Sequence, residues 1–181
     1  MNKSELRKKY IEIRKNIKDK EEKSKEIFNR IISLIEFKKS KVIALYYSLK
    51  SEVDTILLID YCLNNNKTVL LPKVIGEDMI FIKIESLNNL KKSNFGVMEP
   101  QNGIEYNKEE IDLVIVPGIC FDKKFNRIGF GKGYYDRFLN GFRGITIGIC
   151  FSDQISEVEI ESEKTDVQLQ YIVSEKNIFM I

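Results

Sequence analysis

Residues 112–139 read DLVIVPGICFDKKFNRIGFGKGYYDRFL: a buried-type strand, a Pro-Gly step, and a loop in which three glycines alternate ahead of Tyr-Tyr-Asp. Gly129, Gly131 and Gly133 precede a segment expected to be helical, where each glycine costs about 1 kcal/mol relative to alanine. A turn that merely joined strand to helix would need fewer of them. Close approach of backbone to a ligand explains the cluster, and phosphate is the ligand that N–H groups at a helix start attract. Arg127 and Lys132 add fixed positive charge, and Asp136 can reach a divalent cation that travels with a nucleotide. The loop is neither of the common nucleotide motifs. Lys132 is followed by Gly133 where a Walker loop has Ser or Thr, and the spacing is G-x-G-x-G where a dinucleotide site has G-x-G-x-x-G.

The same order of strand, loop and helix occurs earlier in the chain. Residues 41–47 (KVIALYY) are an apolar run of strand length, 48–52 a loop, and Asp54-Thr55 a cap for a helix over 56–63. Upstream, 3–16 and 20–37 read as helices, the second with Ile27, Ile31, Leu34 and Ile35 at helical spacing. Further strands are expected at 67–71, ending at Pro72, at 79–84, at 111–116, at 144–150, at 170–174 and at 177–181, while 85–108 reads as irregular. Strands alternating with helices predict one domain over 1–181 with a three-layer α/β/α architecture, Rossmann-like and CoA-transferase-like, around a mixed, largely parallel sheet. Ligands in such sheets bind beyond the carboxyl ends of the strands. Both loops, 47–52 and 118–133, fall there.

Composition narrows the chemistry. With 181 residues and 43% hydrophobic content there is material for one core, and a net charge of +2 calls for neither nucleic acid nor membrane. The asymmetry is local: residues 1–25 hold ten Lys or Arg against five acids, mostly a solvated helix face. No apolar run approaches the roughly 20 residues of a membrane span, and no apolar stretch follows the charged start as in a secretory signal. A cytoplasmic, monomeric protein is the expectation. Cys62, Cys120 and Cys150 sit among apolar neighbours without metal spacing, as reduced, buried thiols do. Histidine is absent, which excludes histidine general bases, triads and metal ligands. Phosphoryl transfer fits what remains, because it depends on positioning, magnesium and charge stabilisation.

These residues resemble the 5-formyltetrahydrofolate cyclo-ligases, also called 5,10-methenyltetrahydrofolate synthetases. The family's Pro-Gly, Phe-Asp and Arg-Leu-Gly-x-Gly-x-Gly-Tyr-Tyr-Asp pattern is matched by Pro117-Gly118, Phe121-Asp122 and the run from Arg127 to Asp136. Its Lys-x-x-Leu-Arg start is matched by Lys3, Leu6 and Arg7, and its Tyr-Ser…Glu-Val-Asp-Thr segment by Tyr47-Ser48 and the run from Glu52 to Thr55. The likeness covers essentially the whole chain.

The resemblance implies an enzyme that converts 5-formyltetrahydrofolate and ATP, with Mg2+, into 5,10-methenyltetrahydrofolate, ADP and phosphate. It implies an ATP site built from the first helix, at Lys3, Ser4, Glu5, Leu6 and Arg7, laid against the glycine loop at Arg127, Ile128, Gly129, Phe130, Gly131, Lys132, Gly133, Tyr134 and Tyr135. Arg127 and Lys132 would be the catalytic cations, Tyr47 and Glu52 the folate contacts, and Asp136 and Asp166 the magnesium ligands. Asp122 would position the loop. The folate can carry a polyglutamate tail. Two departures stand out: Thr165 where the family often has His, and Gln170 where it often has a second Asp. They leave open a catalytically silent nucleotide or folate binder. The basic first helix leaves open a nucleic-acid contact.

Overall fold

The computed structural model describes residues 1–181. In chain order its elements are α1 (Lys3–Lys15), α2 (Lys20–Ser33), α3 (Ile35–Lys39), β1 (Val42–Ala44), α4 (Ile56–Asn64), β2 (Thr68–Ile75), β3 (Asp78–Ile84), β4 (Leu90–Lys92) and β5 (Met98–Pro100). There follow β6 (Glu105–Tyr106), β7 (Leu113–Val116), β8 (Cys120–Asp122), β9 (Arg127–Ile128), α5 (Tyr134–Leu139), β10 (Ile145–Ile149), β11 (Ile155–Ser156), β12 (Tyr171–Val173) and β13 (Ile178–Met180).

The apolar runs that begin at residues 42, 113 and 145 become the middle of one sheet, because strands covered on both faces have no polar side to show. Eight strands lie in the order β13-β12-β10-β7-β1-β2-β3-β6. The five from β12 to β2 are parallel. Antiparallel strands close both edges. This is the mixed, largely parallel sheet that the sequence predicts.

Alternation along each strand assigns the faces. Ile43, Val69, Leu71, Leu113, Ile115, Ile147, Ile149 and Val173 point to one side, in a cluster with Ile27, Ile31, Phe37, Leu58 and Ile59 from α2, α3 and α4. Ala44, Leu70, Val114, Val116 and Ile172 point to the other, with Phe121 and with Leu139 of α5. On this side the layer is completed by a small sheet of order β11-β8-β9, over which α1 packs through Leu6 and Tyr10 against Ile119, Cys120 and Ile128. No helix is long and apolar enough to cross a membrane. The three cysteines are free and buried as expected, and burial pushes the Cys62 and Cys120 thiols up to about 12.

Several boundaries differ from the sequence reading. The second helix breaks at Leu34, whose ψ of 133° is extended, so α2 and α3 are separate. Strand β2 runs through Pro72 to Ile75. The Leu70 carbonyl accepts from Leu45 toward β1, so Pro72, two residues on, turns its missing N–H to the same side, where β1 has already ended. Residues 85–108 contain the ribbon β4-β5 and the edge strand β6. The little sheet of β8, β9 and β11 was not expected at all.

That small sheet hangs on Asp122, which is 2% exposed. Its Oδ1 accepts from the Lys124 and Asn126 amides, and its Oδ2 from Asn126 Nδ2 and the Ile160 amide. Asp122 thus positions the loop, as the resemblance implies. Asp122→Ala strands four donors and is expected to cost about 3 kcal/mol, because bonds to charged acceptors are worth roughly 1.5–3 kcal/mol and orphaned buried groups add to the loss. Urea denaturation of the purified variant measures this; a change under about 1 kcal/mol would show the carboxylate to be dispensable.

Candidate active site

Strands β1 and β7 are parallel neighbours, so the chain leaves both at the same end of the sheet. After β1, residues 46–55 form a stiff loop. Thr55 Oγ1 donates to the Tyr46 carbonyl at 2.6 Å and accepts from the Ser48 amide, while the Thr55 amide donates to Ser48 Oγ. The start of α4 is capped instead by Asp54, whose Oδ1 accepts from the Ile56 amide at 2.8 Å. Within this loop Glu52 is buried, its Oε1 accepting from the Leu49 amide at 2.7 Å and its Oε2 standing 3.9 Å from Arg14 Nη1. Burial holds its carboxyl above the ordinary 4.5, against the pull of the Leu49 amide and Arg14.

After β7, Gln154 fixes the Pro-Gly step by donating to the carbonyls of Gly118 and Ile119. Arg127 then enters the interior with only 6% of its side chain exposed. Its Nη1 donates to the Pro117 carbonyl at 3.1 Å, its Nη2 lies 3.7 Å from Asp136 Oδ2, and its guanidinium covers the Tyr135 ring at 5.6 Å. Here the glycines acquire a second reason. A Cβ on Gly129 would stand 2.6 Å from Arg127 Nη1, and one on Gly118 would stand 3.0 Å from Arg127 Cγ. Gly129 clears space for the arginine and Gly118 for the arginine and the Phe121 ring, 2.6 Å from such a Cβ, whereas Gly131 and Gly133, at φ of +97° and +72°, supply backbone that L-residues avoid. Helix α5 is only six residues long, so side chains supply more of the positive charge than the helix dipole does.

Helix α1 lies against this loop, as the resemblance implies: Arg7 Nε donates to the Gly129 carbonyl at 2.8 Å. Lys3 pairs with Asp166 through a direct hydrogen bond and lies 3.6 Å from Glu163. Burial opposes ionisation of Asp166, but the Glu163 amide, Lys3 and the Arg127 charge together hold its carboxyl below the ordinary 3.8. The other residues of the helix start differ. Leu6 is 1% exposed in the core beneath α1, and Ser4 and Glu5 are exposed outside the cleft.

The two loops, α1 and the carboxy-terminal segment enclose a cleft of about 700 Å³. One end is charged, with Lys3, Arg7, Arg127, Lys132, Asp136 and Asp166; Ile128, Gly129, Phe130, Gly131, Gly133, Tyr134 and Tyr135 line it too. The other end holds Tyr46, Tyr47, Leu49 and Glu52 beside an apolar wall of Pro72, Val74, Met79, Phe95 and Val97. Tyr134 and Arg137 pin that wall by donating to the carbonyls of Gly76 and Glu77. Four buried side-chain polar atoms lack a hydrogen-bond partner, Arg14 Nε and Nη1, Arg127 Nε and the Tyr135 hydroxyl, and all belong to this corner. Each costs about 1–3 kcal/mol when left bare, and Arg127 and Tyr135, which line the cleft, can offer theirs to a polar ligand. No group of three metal-ligating side chains gathers anywhere. A magnesium ion that arrives with a nucleotide needs only one or two carboxylates besides phosphate, which Asp136 and Asp166 can provide.

A model of the 5-formyltetrahydrofolate cyclo-ligase family matches residues 1–175. The chain belongs to that family. Among relatives, a probable 5-formyltetrahydrofolate cyclo-ligase of Schizosaccharomyces pombe is 33% identical over 84% of this chain and 83% of its own. The 5-formyltetrahydrofolate cyclo-ligase of Haemophilus influenzae is 35% identical over 76% of this chain and 78% of its own. The NMR structure of Aquifex aeolicus 5,10-methenyltetrahydrofolate synthetase superposes with a TM-score of 0.88 at 40% identity, covering 99% of this chain and 93% of that one.

Against the cyclo-ligase pattern, the two departures separate in space. Thr165 lines the cleft, but Gln170 does not: its amide and Oε1 pair with Thr146, joining β12 to β10. A charge lost at position 170 is therefore lost from the junction of β10 and β12, outside the cleft. Sequence reasoning missed Tyr46, Phe95 and Arg14. An exposed phenylalanine before Gly96 in a polar stretch was the available signal for Phe95.

The two cleft carboxyls should titrate in opposite senses in carbon-13 NMR, Glu52 above 4.5 and Asp166 below 3.8. Lys3→Ala should move Asp166 up. The sign follows from linkage: a depressed carboxyl contributes stability in full above its unfolded value and loses it as pH falls through its folded value, whereas the raised Glu52 becomes a cost as pH rises through its own. An Asp166 that titrates normally in the parent would refute the Lys3 tie.

Proposed function

We propose that this chain closes the five-membered ring of 5,10-methenyltetrahydrofolate from 5-formyltetrahydrofolate at the expense of ATP, releasing ADP and phosphate. The observation that carries the reading is the placement of Glu52 and Arg127, which face one cleft in a chain that matches the family over residues 1–175. Nucleotide phosphates belong at the charged end, under Lys3, Arg7, Arg127 and Lys132, and the folate at the other. There the apolar wall suits flat rings, and Glu52 and Tyr47 suit the pterin's amino and ring N–H groups.

Formyl oxygen attacks the γ-phosphorus, and the bond to ADP breaks. N10 then attacks the activated formyl carbon, the carbon–oxygen bond breaks, phosphate leaves with the oxygen, and N10 gives up its proton. Arg127 Nε, buried and bare, is a donor ready for charge that develops on the transferred group, and it costs no reorganisation when that charge appears. Lys132, exposed at the mouth, adds a mobile cation. Holding N10 beside the formyl carbon supplies the gain of an intramolecular reaction. Magnesium, held by Asp136 and Asp166, would neutralise phosphate charge.

We read the enzyme as a single domain acting as a cytoplasmic monomer, on folate with or without a polyglutamate tail. Supporting this, the loops after β1 and β7 of one sheet meet at the cleft, and the three thiols are unpaired, as suits a reducing compartment.

The test is the near-ultraviolet absorbance of methenyltetrahydrofolate formed from 5-formyltetrahydrofolate. The signal should require both ATP and magnesium, and its absence from folded protein would sink the reading. Arg127→Ala should lower kcat about 100- to 1,000-fold, as loss of a buried donor to developing charge does, and Lys132→Ala about tenfold. Near-normal turnover in both folded variants would refute these roles.

A further inference from the structure

Arg14 is buried as deeply as Arg127, with 6% of each side chain exposed. It does not line the cleft. It stands behind Glu52, Nη1 to Oε2 at 3.9 Å, where both side chains are at most 7% exposed. That distance is a charge contact and too long for a hydrogen bond. On its other side the guanidinium covers the ring of Phe130 at 5.6 Å, within the glycine loop.

The pair is therefore incomplete in a particular way. Glu52 Oε1 is occupied by the Leu49 amide, but the nearest charge to Oε2 is an arginine that does not hydrogen-bond it. A carboxylate buried alone would take up a proton and become a donor, the wrong partner for N–H groups. A guanidinium at this range keeps it an acceptor while leaving its lone pairs free.

We infer that Arg14 is a positioning residue of the folate site, holding Glu52 ionised with Oε2 open to the cleft and making no contact with substrate itself. The inference rests on Glu52 being the folate carboxylate. It also gives α1 a second task. Arg7 meets the glycine loop and Arg14 meets Glu52 two turns later, about 10 Å along one rigid helix, so α1 fixes the separation between the two ends of the cleft.

A merely structural Arg14 would support folding without favouring one substrate, and steady-state kinetics distinguish the two. Arg14→Gln should raise KM for 5-formyltetrahydrofolate about tenfold or more and leave KM for ATP within about twofold. Arg14→Lys, which keeps the charge without the planar fork, should raise the folate KM only about threefold. In a Glu52→Gln background, Arg14→Gln should add less than about twofold, because the partner it acts through is gone.

Equal changes in both KM values, or a folate effect that persists undiminished in Glu52→Gln, overturn the inference. A normal folate KM in Glu52→Gln alone would instead overturn the reading of Glu52 beneath it. If thermal melts show Arg14→Gln unfolded, Arg14→Lys decides. A selective rise in folate KM supports the inference, and parental constants for both substrates refute it.

Discussion

Parallel pairing of β1 with β7, Ile43 opposite Leu113 and Ala44 opposite Val114, is the constraint from which the site follows. Two parallel strands must release their chains at the same end. The loop bearing Tyr46, Tyr47 and Glu52 and the loop bearing Arg127 and the glycines are therefore neighbours in space, although some 70 residues separate their strands. An antiparallel arrangement would have sent them to opposite ends of the sheet, and no side-chain choice could then have joined them. Everything else at the cleft, including the seat of α1 and the clasp of α5 on the β2-β3 turn, elaborates that meeting.

Having brought the loops together, the fold places charge where water cannot reach it. Arg127 sits between Gly118 and Gly129 with two of its nitrogens engaged, and Arg14 sits behind Glu52 with none of its hydrogen bonds made to that carboxylate. Buried charges normally satisfy themselves, since removing one partner of a buried pair costs about 3–5 kcal/mol. Here the stability of the large core, with Phe37, Phe81, Phe121 and Phe151 fully enclosed, offsets bare donors at one corner. The result is a site whose dipoles are already oriented before any ligand arrives.

Legibility in the sequence followed physical range. The central strands were readable because burial on both faces leaves an unbroken apolar run, and the glycine loop because its residues carry their own conformational demands. Pro72 misled because its missing N–H matters only where a neighbour needs it, and β1 ends too soon to need it. Strands β8, β9 and β11 were invisible: two or three residues each, they exist through the hydrogen bonds of Asp122 and the cover of α1, both long-range. Leu6 illustrates the limit of motif reading. A residue can stand inside a ligand motif because it anchors the helix that carries the ligands. Arg14 looked like one more cation on a solvated face, since nothing local shows that Glu52, 38 positions on, will stand before it.

The edges of the large sheet have a bearing beyond catalysis. A parallel sheet assembles slowly, because its contacts close long loops, and meanwhile its strand edges can recruit other chains. In this protein the parallel strands occupy the middle, and the edges are β13 and β6, antiparallel strands of three and two residues. Edges so brief offer a passing chain almost nothing to pair with. The same layout that gathers the cleft loops at the centre thus also leaves the sheet its shortest strands at the margins.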